Sequence, residues 1–222
     1  MPVEPNQELP ARITSISVQK KNKERYSIYV EEGFLVGVSE STLIDLKLAK
    51  GVEVTPQLFQ KIQREEGRFA IKSYILKLLG RRDHARKELL TKARKKDYPE
   101  EVVITILDEL EEKGYINEES FAEKFTADKF NLNQWGPSKI KAHLYKKGIS
   151  SHIIEKSIAN YFEDVELKET YKNLVLKRKR RFLKEENLLK RKKKIFDYLN
   201  RKGFKPNSIF KHMDELMDMV SE

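Results

Sequence analysis

The sequence predicts a mainly α fold: three tandem three-helix repeats behind a small β-containing N-terminal extension. Three observations carry this. Runs of β-branched and aromatic residues in strand-like alternation are confined to the stretch before Ser39. From Gly67 onward, apolar residues recur at the three- and four-residue offsets of one helix face. That helical part also repeats itself, column by column, in three copies.

Residues 1–10, polar and carrying three prolines, read as a disordered tail. An extension over 11–66 follows. Ile13, Ser15 and Ser17 alternate with Thr14, Ile16 and Val18. Tyr26 to Val30 and Phe34 to Val38 continue the pattern, separated by Lys20 to Glu24 and Glu31-Glu32-Gly33. The alternation predicts a small antiparallel meander. Ser39 to Ala49 reads as helix, stopped by Lys50-Gly51. Thr55-Pro56 supplies an N-cap and a proline at the first helical position, opening a helix to about Glu66.

The repeat is anchored on Tyr98, Ile149 and Phe204, spaced by 51 and 55 residues. Two residues before each anchor stands a lysine, Lys96, Lys147 and Lys202, and one before stands Asp97, Gly148 or Gly203. Val103, Ile154 and Ile209 follow in register, then Leu107, Ile158 and Met213, then Leu110, Tyr161 and Leu216. Ahead of the anchors lie Leu89, Ile140 and Ile195, and Ala93, Leu144 and Leu199. Each copy is therefore helix, tight turn, helix. A further helix precedes each pair, over Ala70 to Leu79, Asn117 to Leu132, and Val165 to Arg181. Gly80 closes the first of these, and Gly136-Pro137-Ser138 opens the next helix in the second copy. The units expected are 67–115, 116–164 and 165–222. Modules of this size bury little alone, so neighbours are expected to pack on one another.

Charge is unevenly spread. The net charge is +10. Residues 165–205 hold 16 Lys+Arg against 5 Asp+Glu, while the rest of the chain holds 29 against 30, so one stretch carries the whole excess. A second basic run, 81–96, has 8 basic and 2 acidic residues, and 97–124 answers with 10 acidic and 2 basic. Such blocks suit a surface with one pole for phosphate and another for basic protein. With no cysteine, disulfides and zinc fingers are excluded. No apolar run approaches the ~20 residues of a membrane span, and no basic-then-apolar leader opens the chain, so a cytoplasmic protein without membrane contact is expected.

Enzyme patterns are missing: there is no phosphate-binding glycine loop, no His-Glu-x-x-His and no Gly-x-Ser-x-Gly. His84, His143, His152 and His212 are scattered singly. Asp108, Glu109, Glu111 and Glu112 surround the apolar stripe Val103, Leu107, Leu110, which makes them a solvated face rather than a metal cluster. No catalytic residue, metal or cofactor is implied. The basic runs are the candidates. Lys177-Arg178-Lys179-Arg180-Arg181 and Lys190-Arg191-Lys192-Lys193-Lys194 repel themselves unless an acidic partner relieves them. With Ile195 and Leu199 inward, Lys190, Lys193, Lys194 and Arg201 fall on the opposite arc, and Lys192 falls near the apolar one. In the first repeat, Arg81, Arg82, Arg86 and Lys87 form the matching cluster. The binding set is thus Arg81, Arg82, Arg86, Lys87, Lys177 to Arg181, Lys190, Arg191, Lys193, Lys194 and Arg201. Trp135 either clamps an interhelix turn or stacks on a base. Phe121 and Phe125 read as core.

Three segments carry a family resemblance. Ile116-Asn117-Glu118-Glu119-Ser120-Phe121-Ala122-Glu123, Gly136-Pro137-Ser138-Lys139-Ile140 and Leu144-x-x-Lys147-Gly148-Ile149 resemble the regulatory protein RecX family. Arg81 to Leu89 is similar to that family's first-repeat entry, and the β-containing head to the extension of Gram-positive members. Two positions depart from the pattern: Ala85 stands where a serine cap is common, and Asp97 where glycine is usual. The resemblance implies a modulator, chiefly an inhibitor, of the RecA recombinase. Such a protein binds the RecA–single-stranded DNA filament, and single- and double-stranded DNA directly. It restrains strand exchange, ATP hydrolysis and co-protease activity in recombination, DNA repair and the SOS response. The alternative is a stand-alone helix-turn-helix-like DNA-binding protein, although the clustered lysines lack a base-reading Asn/Gln/Arg set. A monomer is expected, since no long heptad seam is visible.

Overall fold

The structure, a computed structural model, describes residues 8–163 and 165–221. Residues 1–7 of the expected tail lie outside the described residues. The mainly α architecture with a small β-containing head is present, and the chain divides into two compact units.

The first unit comprises residues up to 81 together with 92–109. Strands β1 (Ala11–Arg12), β2 (Ser15–Val18), β3 (Arg25–Val30) and β4 (Gly33–Ser39) precede helix α1 (Glu40–Asp45), strand β5 (Glu53–Val54) and helix α2 (Pro56–Leu79). The expected meander is the antiparallel sheet β2-β3-β4, with Ile28 opposite both Ile16 and Val36, and β1 pairs separately with β5. Ile28, Val30, Leu35 and Val38 bury one sheet face with Leu48, Phe59 and Ile62. Full burial of such side chains stabilises by about 1.5–3 kcal/mol each. Glu66 of α2 ties the sheet down, accepting from Arg25 Nη2 and the Ser39 N–H, both at 2.7 Å.

Two helices differ from expectation here. α1 ends at Asp45 rather than Ala49, because Lys47 takes a left-handed φ of 51° and turns Leu48 back into the core. The two helices expected to either side of Gly67 are one, α2, with Thr55 and Pro56 opening it as read from the sequence. The apolar stripe switches sides within it. Phe59 and Ile62 are buried towards the sheet, while Ile71 and Ile75 are buried half a turn away, nine residues being about 180° of helix. A stripe that jumps faces reads as a break in periodicity, although the backbone continues. The second half meets residues of 92–109: Tyr74 packs edge-on against Tyr98 at 5.7 Å, and Arg68 and Lys72 pair with Glu109.

The second unit comprises 82–91 and the chain from 110 onward, the division falling within α3 (Arg86–Arg94) and α4 (Glu100–Glu112). It continues as α5 (Glu118–Asn133), α6 (Pro137–Lys146), α7 (Ser151–Phe162), α8 (Leu167–Leu176), α9 (Lys179–Leu183), α10 (Leu188–Lys202), α11 (Pro206–Lys211) and α12 (Met213–Asp218). Phe121, Ile140, Leu144, Ile149 and Ile154 form one core; Tyr171, Leu174, Phe182, Ile195, Leu199 and Phe204 form part of another.

The single helix expected over Val165 to Arg181 is two. A straight helix would carry Arg178 onto the face of Tyr171, since seven residues is nearly two whole turns. The step between α8 and α9 instead turns Arg178 to the surface while Phe182 stays inward. The last helix of the third repeat is likewise interrupted, at His212.

The repeat is visible as one turn made three times. The N–H groups of Tyr98, Ile149 and Phe204 donate to Ala93, Leu144 and Leu199 at 3.3, 3.2 and 3.3 Å. Those of Asp97, Gly148 and Gly203 donate to Arg94, Tyr145 and Asn200 at 3.0, 3.0 and 2.8 Å. The turn residues have φ of 56°, 89° and 95°, the left-handed closure that favours glycine. All 18 apolar positions aligned above are buried or half-buried, so the columns mark core rather than a sequence coincidence.

Candidate functional site

Local geometry decides which basic side chains face water. In the first repeat, Ala85 offers no side-chain cap to α3. Glu88 instead reaches back to the Ala85 N–H at 3.4 Å, the return half of a capping box. The same carboxylate receives Arg82 at 3.2 Å and Lys147 at 2.5 Å. Burial pushes the Glu88 carboxyl up, but hydrogen bonds from Lys147 and Arg82 outweigh it and hold the group below the usual carboxylate range. Arg86 pairs with Glu111 at 2.8 Å. Arg81 and Lys87 are exposed, the Lys87 stem lying against Gly148. Much of the expected first-repeat cluster is therefore engaged with carboxylates of its own chain.

In the third repeat Lys177, Arg178, Arg180 and Arg181 are exposed and Lys179 is half-buried. Lys190, Lys193, Lys194 and Arg201 lie on the solvent face of α10, as the helical phase predicts. Arg191 does not. It is 8% exposed, and its guanidinium donates to the carbonyls of Glu185 at 2.9 Å and Val220 at 3.1 Å. One turn before Ile195, Arg191 shares the apolar arc and fastens the chain's C-terminal end to α10. Lys192, half-buried, reaches Asp214 at 3.5 Å.

The α8–α9 step folds the first run back onto the second. Arg178, Arg181, Lys194 and Arg201 line one shallow groove with Phe182, Asp197 and Tyr198. The Arg178 guanidinium lies 4.5 Å from the Tyr198 ring centroid. Lys194 also pairs with Glu185 at 2.6 Å, and this hydrogen bond lowers the Glu185 pKa.

Four lysines absent from the expected set extend this surface through the second repeat. The Lys147 ammonium lies 5.4 Å and Lys129 5.3 Å from the centroid of Phe125, which stacks on Phe121. Lys129 and Lys139 lie 5.6 and 4.5 Å from that of Trp135. Lys202 donates to the Asn133 carbonyl at 2.9 Å; burial, then the charges of Lys139, Arg178 and Lys177, push its pKa down. His143, against Trp135, is pushed down by burial and then by the charges of Lys146, Lys139, Lys147 and Lys129. Cations thus lie over the rings of Phe125, Trp135 and Tyr198, although Phe121 and Tyr198 are themselves buried. The Trp135 backbone N–H closes α5 onto Lys129 O at 3.1 Å, and Lys129 and Lys139 lie over its ring. Lys147 and Lys202 were visible beforehand as a repeat column, but a column marks a turn as readily as a surface.

The acidic block is partly consumed internally, Glu109 by Arg68 and Lys72 and Glu111 by Arg86. Among the described residues, no group of three or more His, Cys, Asp or Glu is placed to hold a metal, and no helix is long and apolar enough to cross a membrane.

Comparison with known proteins identifies three segments. Residues 11–55 match the family model for the regulatory protein RecX N-terminal domain, 72–110 that for the RecX first three-helix domain, and 117–158 that for the second. The regulatory protein RecX of Clostridioides difficile (strain 630) is 28% identical over 208 residues, covering 93% of this chain and 96% of the relative. That of Listeria innocua serovar 6a is 31% identical over 193 residues, 87% of this chain and 71% of the relative. A crystal structure of a regulatory protein RecX superposes with a TM-score of 0.79 at 29% identity, covering 92% of this chain and 99% of that one.

Proposed function

The chain belongs to the RecX family of regulatory proteins, and from that premise we propose that it restrains the RecA recombinase by binding the RecA–single-stranded DNA filament and DNA itself. It acts by occupation rather than catalysis, as a cytoplasmic monomer of three helical modules, 67–115, 116–164 and 165–222, behind the β-containing head. Bound to the filament, it slows strand exchange, ATP hydrolysis and co-protease activity.

The observation that supports this reading is the convergence of two separate basic runs, through the α8–α9 step, onto one exposed groove lined by Arg178, Arg181, Lys194 and Arg201. Positive charge displayed on packed helices neutralises phosphates and releases counterions. Weak contacts from linked modules add through high effective concentration, which favours a polymeric target over an isolated site. The exposed groups are lysines and arginines without an Asn/Gln base-reading set, which favours backbone over sequence.

Adding the protein to RecA filaments on single strands tests this. Slower ATP hydrolysis and strand exchange are expected, with little preference among random duplexes. Unchanged rates at saturating protein and low salt contradict the reading. A duplex preference of about 4–10 kcal/mol over random DNA would replace it with a sequence reader.

A further inference from the structure

We propose that Lys139, Lys177, Arg178 and Lys202 form a seat for a single backbone phosphate of a nucleic-acid strand, and that the phosphate clamps the second and third repeats together. The proposal rests on the DNA-binding reading above and gives it a location that the basic runs alone did not indicate.

The four cations come from three places. Lys139 stands in the first turn of α6, Lys177 and Arg178 form the α8–α9 step, and Lys202 ends α10. Among the described residues none of the four is ion-paired to a carboxylate, unlike Arg82, Arg86, Lys147 and Lys194. Two have neutral oxygens at the end of α5 as partners, Lys202 Nζ donating to Asn133 O at 2.9 Å and Lys177 Nζ to Gln134 Oε1 at 3.0 Å. Lys139 and Arg178 lie over the rings of Trp135 and Tyr198. An ammonium group has three donors, so Lys177 and Lys202 each keep two for a ligand. These bonds aim the groups without neutralising them. The lowered pKa of Lys202 is the mark of burial among like charges that an anion would relieve.

The backbone under the seat is hydrogen-bonded from one repeat to the other. The Gly136 N–H donates to Lys202 O at 2.7 Å and the Ser138 N–H to Gly203 O at 3.0 Å. The second repeat contributes Lys139 and the third the other three. An empty seat therefore repels across the joint, and an anion bridging it attracts. Phosphate suits this better than carboxylate, because its oxygens can accept from donors arriving on several sides at once. A strand suits it better than a free ion, because basic groups continue on both sides, Lys129 beside Trp135 and Arg181 and Arg201 beside Tyr198.

The protein carries its own reporter. Trp135 is the only tryptophan, and the Lys139 ammonium lies 4.5 Å from its ring centroid. Drawing Lys139 onto a phosphate takes the cation off the ring and changes its emission. The test titrates the full chain with labelled oligo(dT), reading anisotropy for binding and Trp135 emission for the seat, over a range of salt. Wild-type emission should move in step with anisotropy. The Lys139→Gln/Lys202→Gln double variant should lose the emission response. Its slope of log K against log salt should be shallower by about 0.7, the loss of one phosphate contact. Without DNA the variant loses a repulsion and also the Lys202–Asn133 hydrogen bond, so circular dichroism confirms that it is folded before binding is read.

A Lys190→Gln/Lys193→Gln variant, altered outside the seat, should keep the emission response. Wild-type binding with silent emission, or a seat variant with unchanged slope, overturns the seat while leaving DNA binding intact. An equal response to inorganic phosphate at matched ionic strength would reassign it to a free ion and overturn the strand. Failure of the wider reading shows elsewhere, as RecA hydrolysis indifferent to wild-type protein.

Discussion

Gly136 and Gly203 meet backbone to backbone: a Cβ on Gly136 would fall on the carbonyl group of Gly203, and one on Gly203 would fall on Lys139. This crossing joins α6 to the turn between α10 and α11. Gly136→Ala changes nothing about its own backbone preference, since its φ is −80°. The expected loss is the overpacking penalty of about 1–3 kcal/mol. Gly203→Ala adds about 1–2 kcal/mol for a side chain held at a φ of 95°. Denaturant unfolding of the two variants should rank them in that order.

Asp97 occupies the position that glycine holds in the other two turns, with a φ of 56°. Asp97→Gly should therefore stabilise the protein, by up to about 1 kcal/mol. Thermal unfolding measures this. A lower midpoint would mean that the Asp97 side chain contributes more than its backbone costs.

Glu88 links the first-repeat helix to Lys147 and Arg82 of the same unit. Its folded-state pKa is depressed, so the stabilisation is fully present above the ordinary value of 4.5 and is lost as pH falls through the lower folded value. Glu88→Gln should lose about 1–3 kcal/mol at neutral pH and show a flatter decline under acid conditions. Urea unfolding across that range gives both numbers.

The sequence revealed the repeat because its columns are core positions, and core positions must recur wherever the same turn recurs. Asp97, Gly148 and Gly203 were legible for the same reason. What misled was periodicity taken as continuity. The apolar stripe of α2 changes faces near Gly67, so one helix read as two, while the stretch Val165 to Arg181, read as one helix from its place in the repeat, is divided between α8 and α9. The site followed suit. Charge counting named Arg178, Arg181, Lys194 and Arg201, which share one groove, and with them Arg191, which is buried. It did not bring together Lys129 and Lys139, which are separated in sequence and both lie over the Trp135 ring.

That inward placement separates two roles within one basic run. Arg191→Met removes the donor to a buried carbonyl of Val220 and should destabilise by about 1.5–3 kcal/mol. Lys193→Gln and Arg201→Gln, at exposed positions, should stay within about 0.5 kcal/mol of wild type and weaken binding to nucleic acid instead. Chemical denaturation beside oligonucleotide affinity distinguishes the two outcomes.

The most direct test of the central claim is the salt dependence of wild-type binding to bare single strands, duplexes and RecA-coated strands. Phosphate contact by the basic groups predicts tight binding in dilute buffer, strongest on the coated strands, with log K falling linearly as log salt rises. Equal indifference to all three at low salt would contradict it.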